Sequence, residues 1–225
     1  MLMILNDSHD PFYNQALEEY VFRNFRDDDV FMLWQSAPAV VVGCYQNING
    51  TARLERPGVS VTRRMTGGGT VYHDLGNLNY TWITKQSGKV GYDYFLEPVI
   101  KALNKIGVPA RRNRACDIAV GDQKIAGSAR KEAGGRVLCH GTFFFETDPR
   151  AFEQSEKTAL RGVTNIRGHL REDMSLERFR ERFLKALLPA ATPRVRLRPE
   201  EDAEVRKLRD MKYKSREWIW GETGE

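Results

Sequence analysis

The chain has no apolar run approaching the roughly 20 residues that cross a bilayer, which excludes a membrane-spanning helix. Its first residues, Met1-Leu2-Met3-Ile4-Leu5, meet Asn6 and Asp7 before a signal-peptide core could form, so the chain reads as cytoplasmic. Cysteine is scarce. Cys44, Cys116 and Cys139 are too few and too scattered for a disulfide framework, and none forms the CxxC pair of a zinc or redox site. A reducing compartment fits. Two common nucleotide fingerprints are missing as well: there is no GxxxxGK[ST] phosphate loop, and no GxGxxG between a strand and a helix. No helix-turn-helix or stacking-aromatic motif supports nucleic-acid binding. The formal charge of +5 equally suits an acidic protein partner or a phosphate-bearing substrate. Repeats, low-complexity tracts and clear linkers are also lacking.

What is present suffices for a folded domain: 41% hydrophobic and 29% charged residues over 225 positions can bury a substantial core. Apolar positions at helical spacing after Asp10-Pro11 predict a helix over 10–25. Strands are expected at 30–34 and 39–43, and the short turn at Pro38 between them suggests antiparallel pairing. Further strands are expected at 70–73 and 78–84, around the turn-like Asp74-Leu75-Gly76-Asn77. The spacing of Tyr94, Leu96, Val99, Ile100, Leu103 and Ile106 predicts a second helix, stopped by Gly107 and Pro109. Residues 117–145 read as a β-meander with turns at Gly121-Asp122 and Gly134-Gly135. Gly127 and Ser128, inside one of its strands, suggest a bulge or a ligand against the backbone. A basic amphipathic helix over 176–188 and another over 200–211 complete an α+β pattern.

Three consecutive glycines, Gly67 to Gly69, let backbone N–H groups turn toward one anion, with Arg63 and Arg64 beside them. The same glycines would also serve a tight hairpin with two solvated arginines. Their neighbours decide between the two. Arg63-Arg64-Met65-Thr66-Gly67-Gly68-Gly69-Thr70-Val71-Tyr72-His73-Asp74-Leu75-Gly76-Asn77 resembles the RRxSGGGxVxHDxGN signature of the lipoate-protein ligase A family. A second signature of that family, G-x-x-K-[VI]-x-G-S-A followed by HGT, is matched by Gly121-Asp122-Gln123-Lys124-Ile125-Ala126-Gly127-Ser128-Ala129 and His140-Gly141-Thr142. Weaker likenesses lie at Gly43-Cys44-Tyr45-Gln46-Asn47, Asp10 to Glu19 and Gly162-Val163-Thr164-Asn165-Ile166.

The resemblance implies one catalytic domain over residues 1–225, of the fold shared with biotin-protein ligases: mixed, mainly antiparallel sheets flanked by helices. It also implies a reaction in which ATP activates lipoate or octanoate as an acyl-adenylate, followed by transfer to one lysine of an apo lipoyl domain. Acceptors would be of the 2-oxoacid dehydrogenase E2 or glycine cleavage H protein type. Lys124 is the catalytic candidate, touching both acyl carbonyl and α-phosphate, where negative charge accumulates. Arg64, Thr66, Gly67, Gly68, Gly69, Val71, Tyr72, His73 and Asn77 are expected to bind substrate or nucleotide, with Asp117, Ile125, Gly127, Ser128, Ala129, His140 and Gly141. Asp117 would hold Mg²⁺ with Asn77 or a phosphate. His73 and Asp74 face opposite ways on a strand, so a structural or nucleotide-positioning role is expected rather than an acid–base pair.

Arg130 to Arg136 resembles the family's adenylate-binding loop, ordering over the nucleotide. The lipoyl tunnel is expected to draw on Trp34, Val42, Val71, Tyr72 and Ile125. Tyr213 to Gly221 resembles the link into a C-terminal accessory domain, which is expected to be absent. A separate accessory protein, independence of one, or a single half-reaction all stay open. The main rival is a cysteine-dependent octanoyl or lipoyl transferase of the same fold, with Cys116 as nucleophile. A non-catalytic carrier ranks last, and biotin ligation lacks its GRGRxGR-type loop.

Overall fold

In the computed structural model, residues 1–48, 56–86, 88–114, 116–148 and 162–221 are described. An eight-stranded sheet is built from β1 (Leu2–Leu5), β2 (Val30–Trp34), β6 (Asn77–Lys85), β7 (Arg111–Asn113), β8 (Asp117–Val120), β9 (Gln123–Ala133), β10 (Arg136–Phe144) and β11 (Arg194–Val195). Their spatial order is β11-β1-β2-β6-β10-β9-β8-β7. β1 runs parallel to β2 and β11, and the other pairs are antiparallel. A smaller sheet holds β3 (Ala39–Val42) between β4 (Ser60–Arg63), parallel to it, and β5 (Val71–His73), antiparallel. The mixed sheets with flanking helices are the α+β fold expected.

The expected pairing of the second and third strands does not occur. β2 lies between β1 and β6 in the large sheet, whereas β3 starts the small one. The connecting residues bond elsewhere: Gln35 O accepts from Asn14 Nδ2 at 2.8 Å, Ala37 N donates to His9 O at 2.8 Å, and Pro38 O accepts from Ser60 N at 3.0 Å. Those partners turn the chain from one sheet to the other instead of back on itself.

Strand alternation decides what each face of the large sheet meets. Leu78, Tyr80 and Trp82 of β6, with Val137, Cys139 and Phe143 of β10, face α2 (Tyr92–Lys105) and α3 (Leu176–Leu187) in one apolar core. There Phe143 stacks edge-on to Phe179 and Phe183 of α3, with centroids 6.1 and 5.1 Å away. The opposite face meets α1 (Pro11–Asn24), which is capped by Asp10 accepting from Phe12 N at 2.9 Å and Tyr13 N at 3.3 Å. α4 (Pro199–Leu208) and α5 (Arg216–Trp220) complete the C-terminal part. On the face toward α1 the residues in register are polar although buried: Asn77, Asn79 and Thr81 of β6, His140 and Thr142 of β10. A buried polar face implies internal partners or an internal ligand.

The expected loop at Arg130 to Arg136 is instead a paired hairpin. β9 continues to Ala133 and β10 begins at Arg136, with Gly134 and Gly135 at φ 56° and 72° making the two-residue turn. Arg136 is buried, donating to Arg26 O and Asp28 O at 2.9 Å each. Its backbone and side chain both have internal partners, so this segment has no loop to order over a ligand.

Gly141 of the His140-Gly141-Thr142 motif packs its bare Cα against Tyr80, whose ring would lie 2.6 Å from an added Cβ. The Tyr80 hydroxyl in turn bonds Ser128 Oγ at 2.7 Å. Gly141→Ala is therefore expected to lower stability by about 1–3 kcal/mol. Gly91→Ala, at a site with nothing within 4 Å, is the control. Thermal melting checks this; equal melting points would contradict the packing described.

Candidate active site

A cavity of about 630 Å³ lies between the polar face of the large sheet and the small sheet. The glycine segment forms part of its wall, and Arg64 dictates how. Its guanidinium is turned inward: Nη2 donates to Gly67 O and Gly69 O at 2.7 Å each, Nη1 to Val41 O at 3.1 Å, and Nε to Thr66 Oγ1 at 3.1 Å. The Gly67 and Gly69 carbonyls are thus held on that guanidinium. Among the described residues no acceptor takes the N–H of Gly67, Gly68 or Gly69. Gly68 has φ 94°, a conformation that favours glycine. Gly43 backs the loop, for a Cβ there would strike Gly68 O. Gln46 Oε1 accepts from Gly43 N at 2.8 Å and from Thr70 Oγ1 at 3.1 Å, which explains the Gly43 to Asn47 motif as a brace. Burial lowers the Arg64 pKa to about 10, and among the described residues no carboxylate bonds the cation directly. A desolvated positive charge behind unpaired N–H groups favours an anion in front of them.

The arginine is held by a buried relay. Thr66 Oγ1 lies 2.7 Å from His140 Nε2, and His140 Nδ1 lies 2.9 Å from Glu18 Oε1. Thr81 Oγ1 donates to the same Glu18 oxygen and accepts from Trp34 Nε1 at 3.0 Å. His140 thus bridges Glu18, through Nδ1, and the Thr66 hydroxyl, through Nε2. Helix α1, three strands of the large sheet and the glycine loop are thereby bonded to one another.

Across the cavity, Lys124 Nζ pairs with Asp117 Oδ1 at 2.8 Å. The bulge between β8 and β9 falls at Ile125, next to Lys124. Gly127 leaves room for the lysine, whose Nζ would lie 2.7 Å from a Cβ there. The segment Gly162-Val163-Thr164 clips alongside: Lys124 N donates to Gly162 O at 2.5 Å and Thr164 N to Lys124 O at 2.9 Å. Cys116 also lines the cavity; burial and the neighbouring Asp117 carboxylate push its thiol above the usual range.

Of the residues expected from sequence, Arg64, Gly68, Gly69, Val71, His73, Asp117, Lys124, Gly127, Ser128, Ala129, His140 and Gly141 line this cavity. Thr66, Gly67, Tyr72, Asn77 and Ile125 do not. Thr66 lies behind, in the relay. Tyr72 and Val42 belong to the core of the small sheet, and Ile125 to that of the large one. Asn77 closes the 74–77 turn, accepting from Asp74 N at 2.7 Å and donating to Thr147 Oγ1 at 2.8 Å. Its amide therefore serves the turn and does not join Asp117. Trp34 and Val71 of the expected tunnel do line the cavity.

Sequence reasoning missed Gln15, Asn79, Asn113, Arg114 and Phe144 in the lining, as well as Glu18 in the relay. A signal existed for some: Asn77-Leu78-Asn79-Tyr80-Thr81-Trp82 alternates polar and apolar in a strand flanked by strands. Arg114, with φ 55°, had none; its non-glycine backbone strain at the cavity mouth is visible only in the structure.

The "Lipoyl protein ligase A/B catalytic domain" family model matches residues 10–188. Lipoate–protein ligase 1 of Staphylococcus aureus is 31% identical over 236 aligned positions, spanning 96% of this chain and 72% of the relative. A solved bi-partite lipoate protein ligase from Thermoplasma acidophilum, described with its E2 lipoyl domain, superposes with a TM-score of 0.85 at 23% identity, covering 100% of this chain and 97% of that one. A lipoate-protein ligase A bound with ATP gives a TM-score of 0.84 at 24% identity, covering 98% of each chain.

Two outcomes test the geometry. Arg64→Lys loses the fork that reaches four acceptors at once and leaves buried carbonyls unpaired, so unfolding free energy should drop by about 2–4 kcal/mol; an unchanged denaturation midpoint would contradict it. His73 is buried, and burial, then Arg64 and His140, depress its pKa to about 3 from 6.5. The unfolded chain therefore binds a proton that the folded one refuses between these values. Stability should fall as pH drops below about 6.5, by at most about 1.4 kcal/mol per pH unit from this group. Urea titrations at about pH 7 and about pH 5 should show a shallower fall for His73→Gln; identical falls would refute the assignment.

Proposed function

The chain belongs to the lipoyl protein ligase A/B catalytic-domain family, and from that premise we propose that it activates lipoate with ATP and transfers the lipoyl group to a lysine of an apo lipoyl domain. The supporting observation is the pairing, across one cavity, of N–H groups freed by Arg64 with the Lys124 ammonium. Attack of the lipoate carboxylate on the α-phosphorus forms the acyl-phosphate bond and releases pyrophosphate. Negative charge then grows on the α-phosphoryl oxygens, facing the loop N–H groups and Lys124. Attack by the acceptor amine on the acyl carbon next forms the amide, with AMP leaving. Lys124, close to both the carbonyl and the phosphate, would stabilise the charge in each step.

Magnesium fits one carboxylate here. Both contacts of Asp117 fall on Oδ1, and nucleotide phosphates supply most ligands in such sites. Among the described residues no group of three or more His, Cys, Asp or Glu side chains could hold a metal by itself. When bound, the ion would neutralise charge on the departing pyrophosphate. The cysteine-dependent transfer considered above is not favoured, because the raised pKa of Cys116 moves it away from a nucleophilic thiolate. Acceptors of the E2 or H protein type, and a separately encoded accessory protein, belong to the same proposal. Among the described residues no helix is long and apolar enough to cross a membrane.

Incubation with lipoate, Mg-ATP and an apo lipoyl domain, with and without an accessory protein, should release pyrophosphate and raise the acceptor mass by one lipoyl group. Lys124→Ala should lower pyrophosphate release at least about 100-fold with melting unchanged, whereas Cys116→Ser should remain active. Retained adenylation without Lys124, or lost transfer without the thiol, would overturn the mechanism.

A further inference from the structure

The segment from Tyr213 to Gly221 contributes nothing to the cavity lining, and neither does Arg63. Both are bonded to the back of the glycine loop. Whereas Arg64 holds carbonyls of the loop itself, the Arg63 guanidinium holds its supports: Nη1 donates to Gly43 O at 2.8 Å and Gln46 O at 2.7 Å, and Nε to Ile219 O at 2.9 Å. Gly43 backs Gly68, and Gln46 accepts from Thr70. In return, Trp218 Nε1 donates to the backbone oxygen of Arg63 at 2.8 Å. Reciprocal bonds thus join residues 218 and 219 to the residue immediately before Arg64. The residue after it is held as well: Met65 is buried in one apolar cluster with Tyr213, and Trp218 packs against that cluster.

The segment is itself anchored on α1. Glu19, 2% exposed, accepts from Lys212 Nζ at 2.7 Å and from the Tyr213 hydroxyl at 2.5 Å, and it pairs with Arg23. The Lys212 ammonium also lies 3.9 Å from the centroid of the Trp218 ring, a cation–π contact. Adjacent carboxylates of one helix therefore hold the two arginines from two sides. Glu18 reaches Arg64 through His140 and Thr66, and Glu19 reaches Arg63 through Lys212 and Trp218. Apolar packing alone would dock the C-terminal residues on the domain; a buried carboxylate with several donors and reciprocal bonds to one loop residue also fix their position. Resting on the ligase reading above, we propose that Trp218 is a positioning residue for acyl-adenylate formation: it touches no substrate, and its bond to Arg63 O fixes the backbone from which the glycine-loop N–H groups meet the α-phosphate. Donors displaced by about 1 Å can cost about 100-fold in rate, so a bond this close to the loop reaches the chemistry.

Trp218→Phe tests this, because it keeps an aromatic ring for Lys212 and removes the N–H. With lipoate and Mg-ATP, kcat for pyrophosphate release should fall at least about 10-fold while the KM for lipoate is unchanged. Amide exchange followed by NMR should speed up at Cys44 and Arg64, whose N–H groups bond Thr66 O and Val42 O, and stay as it was in β9 beside Lys124. Met211→Ala, exposed on the turn that carries Lys212, is the control and should match the wild type in both readouts. A role in stability alone would leave kcat and the exchange at Cys44 and Arg64 unchanged in the folded variant, and either result overturns the proposal. If Trp218→Phe does not fold, the wild type decides: the amides of Lys214, Ile219 and Gly221 should share one urea dependence of exchange with those of Cys44 and Arg64, and separate dependences overturn it. No pyrophosphate from the wild type would instead sink the ligase reading, and the exchange pattern would still decide whether Trp218 positions the loop.

Discussion

The inward turn of one arginine holds the site together. Arg64 gathers the carbonyls of Gly67, Gly69 and Val41 around a buried guanidinium, and among the described residues no acceptor takes the N–H groups of Gly67 to Gly69. Only a planar, permanently charged fork could bond so many acceptors at once. The loop depends on that cation for its shape, and the cation depends on Thr66, His140 and Glu18 for its position. The phosphate cradle proposed here would thereby need neither a helix N-terminus nor a Walker sequence.

The same series of bonds explains why the site sits between two sheets. Helix α1 contributes Glu18 to the relay and Gln15 to the cavity, while its Ala16, Leu17, Val21 and Phe22 pack in an apolar cluster with Met32, Ile83 and Leu138. The large sheet follows suit on one face, with Asn79, Thr81, His140 and Thr142 in register, while its other face builds an ordinary aromatic core with α3. The Lys124–Asp117 pair lies toward the far edge of that sheet, held by the bulge at Ile125 and by the Gly162 to Thr164 segment.

Much of this was legible before any coordinates. Period-two and helical spacing located the central strands and the helices to within a few residues, and the glycine and Lys124 motifs marked two walls of one cavity. Pairing was less accessible: the turn at Pro38 has hairpin length, but backbone bonds to His9, Asn14 and Ser60 send the chain into another sheet. The Arg130 to Arg136 segment looked like a mobile loop by composition, yet Gly134-Gly135 closes a tight hairpin and Arg136 is buried. Arg64 was expected at the site and does line the cavity, but the bonds of its guanidinium to the loop carbonyls were not foreseen. Such orientations depend on long-range partners, which spacing along a chain does not encode.

In the proposed reaction an acyl-phosphate is gripped between the glycine-loop N–H groups and Lys124. A crystal structure with a non-hydrolysable lipoyl-adenylate analogue tests it most directly. The predicted result has the α-phosphoryl mimic within hydrogen-bond distance of Gly68 or Gly69 N and of Lys124 Nζ, with Arg64 still turned inward. An analogue bound away from the loop, or an Arg64 swung out to contact it, would contradict the account.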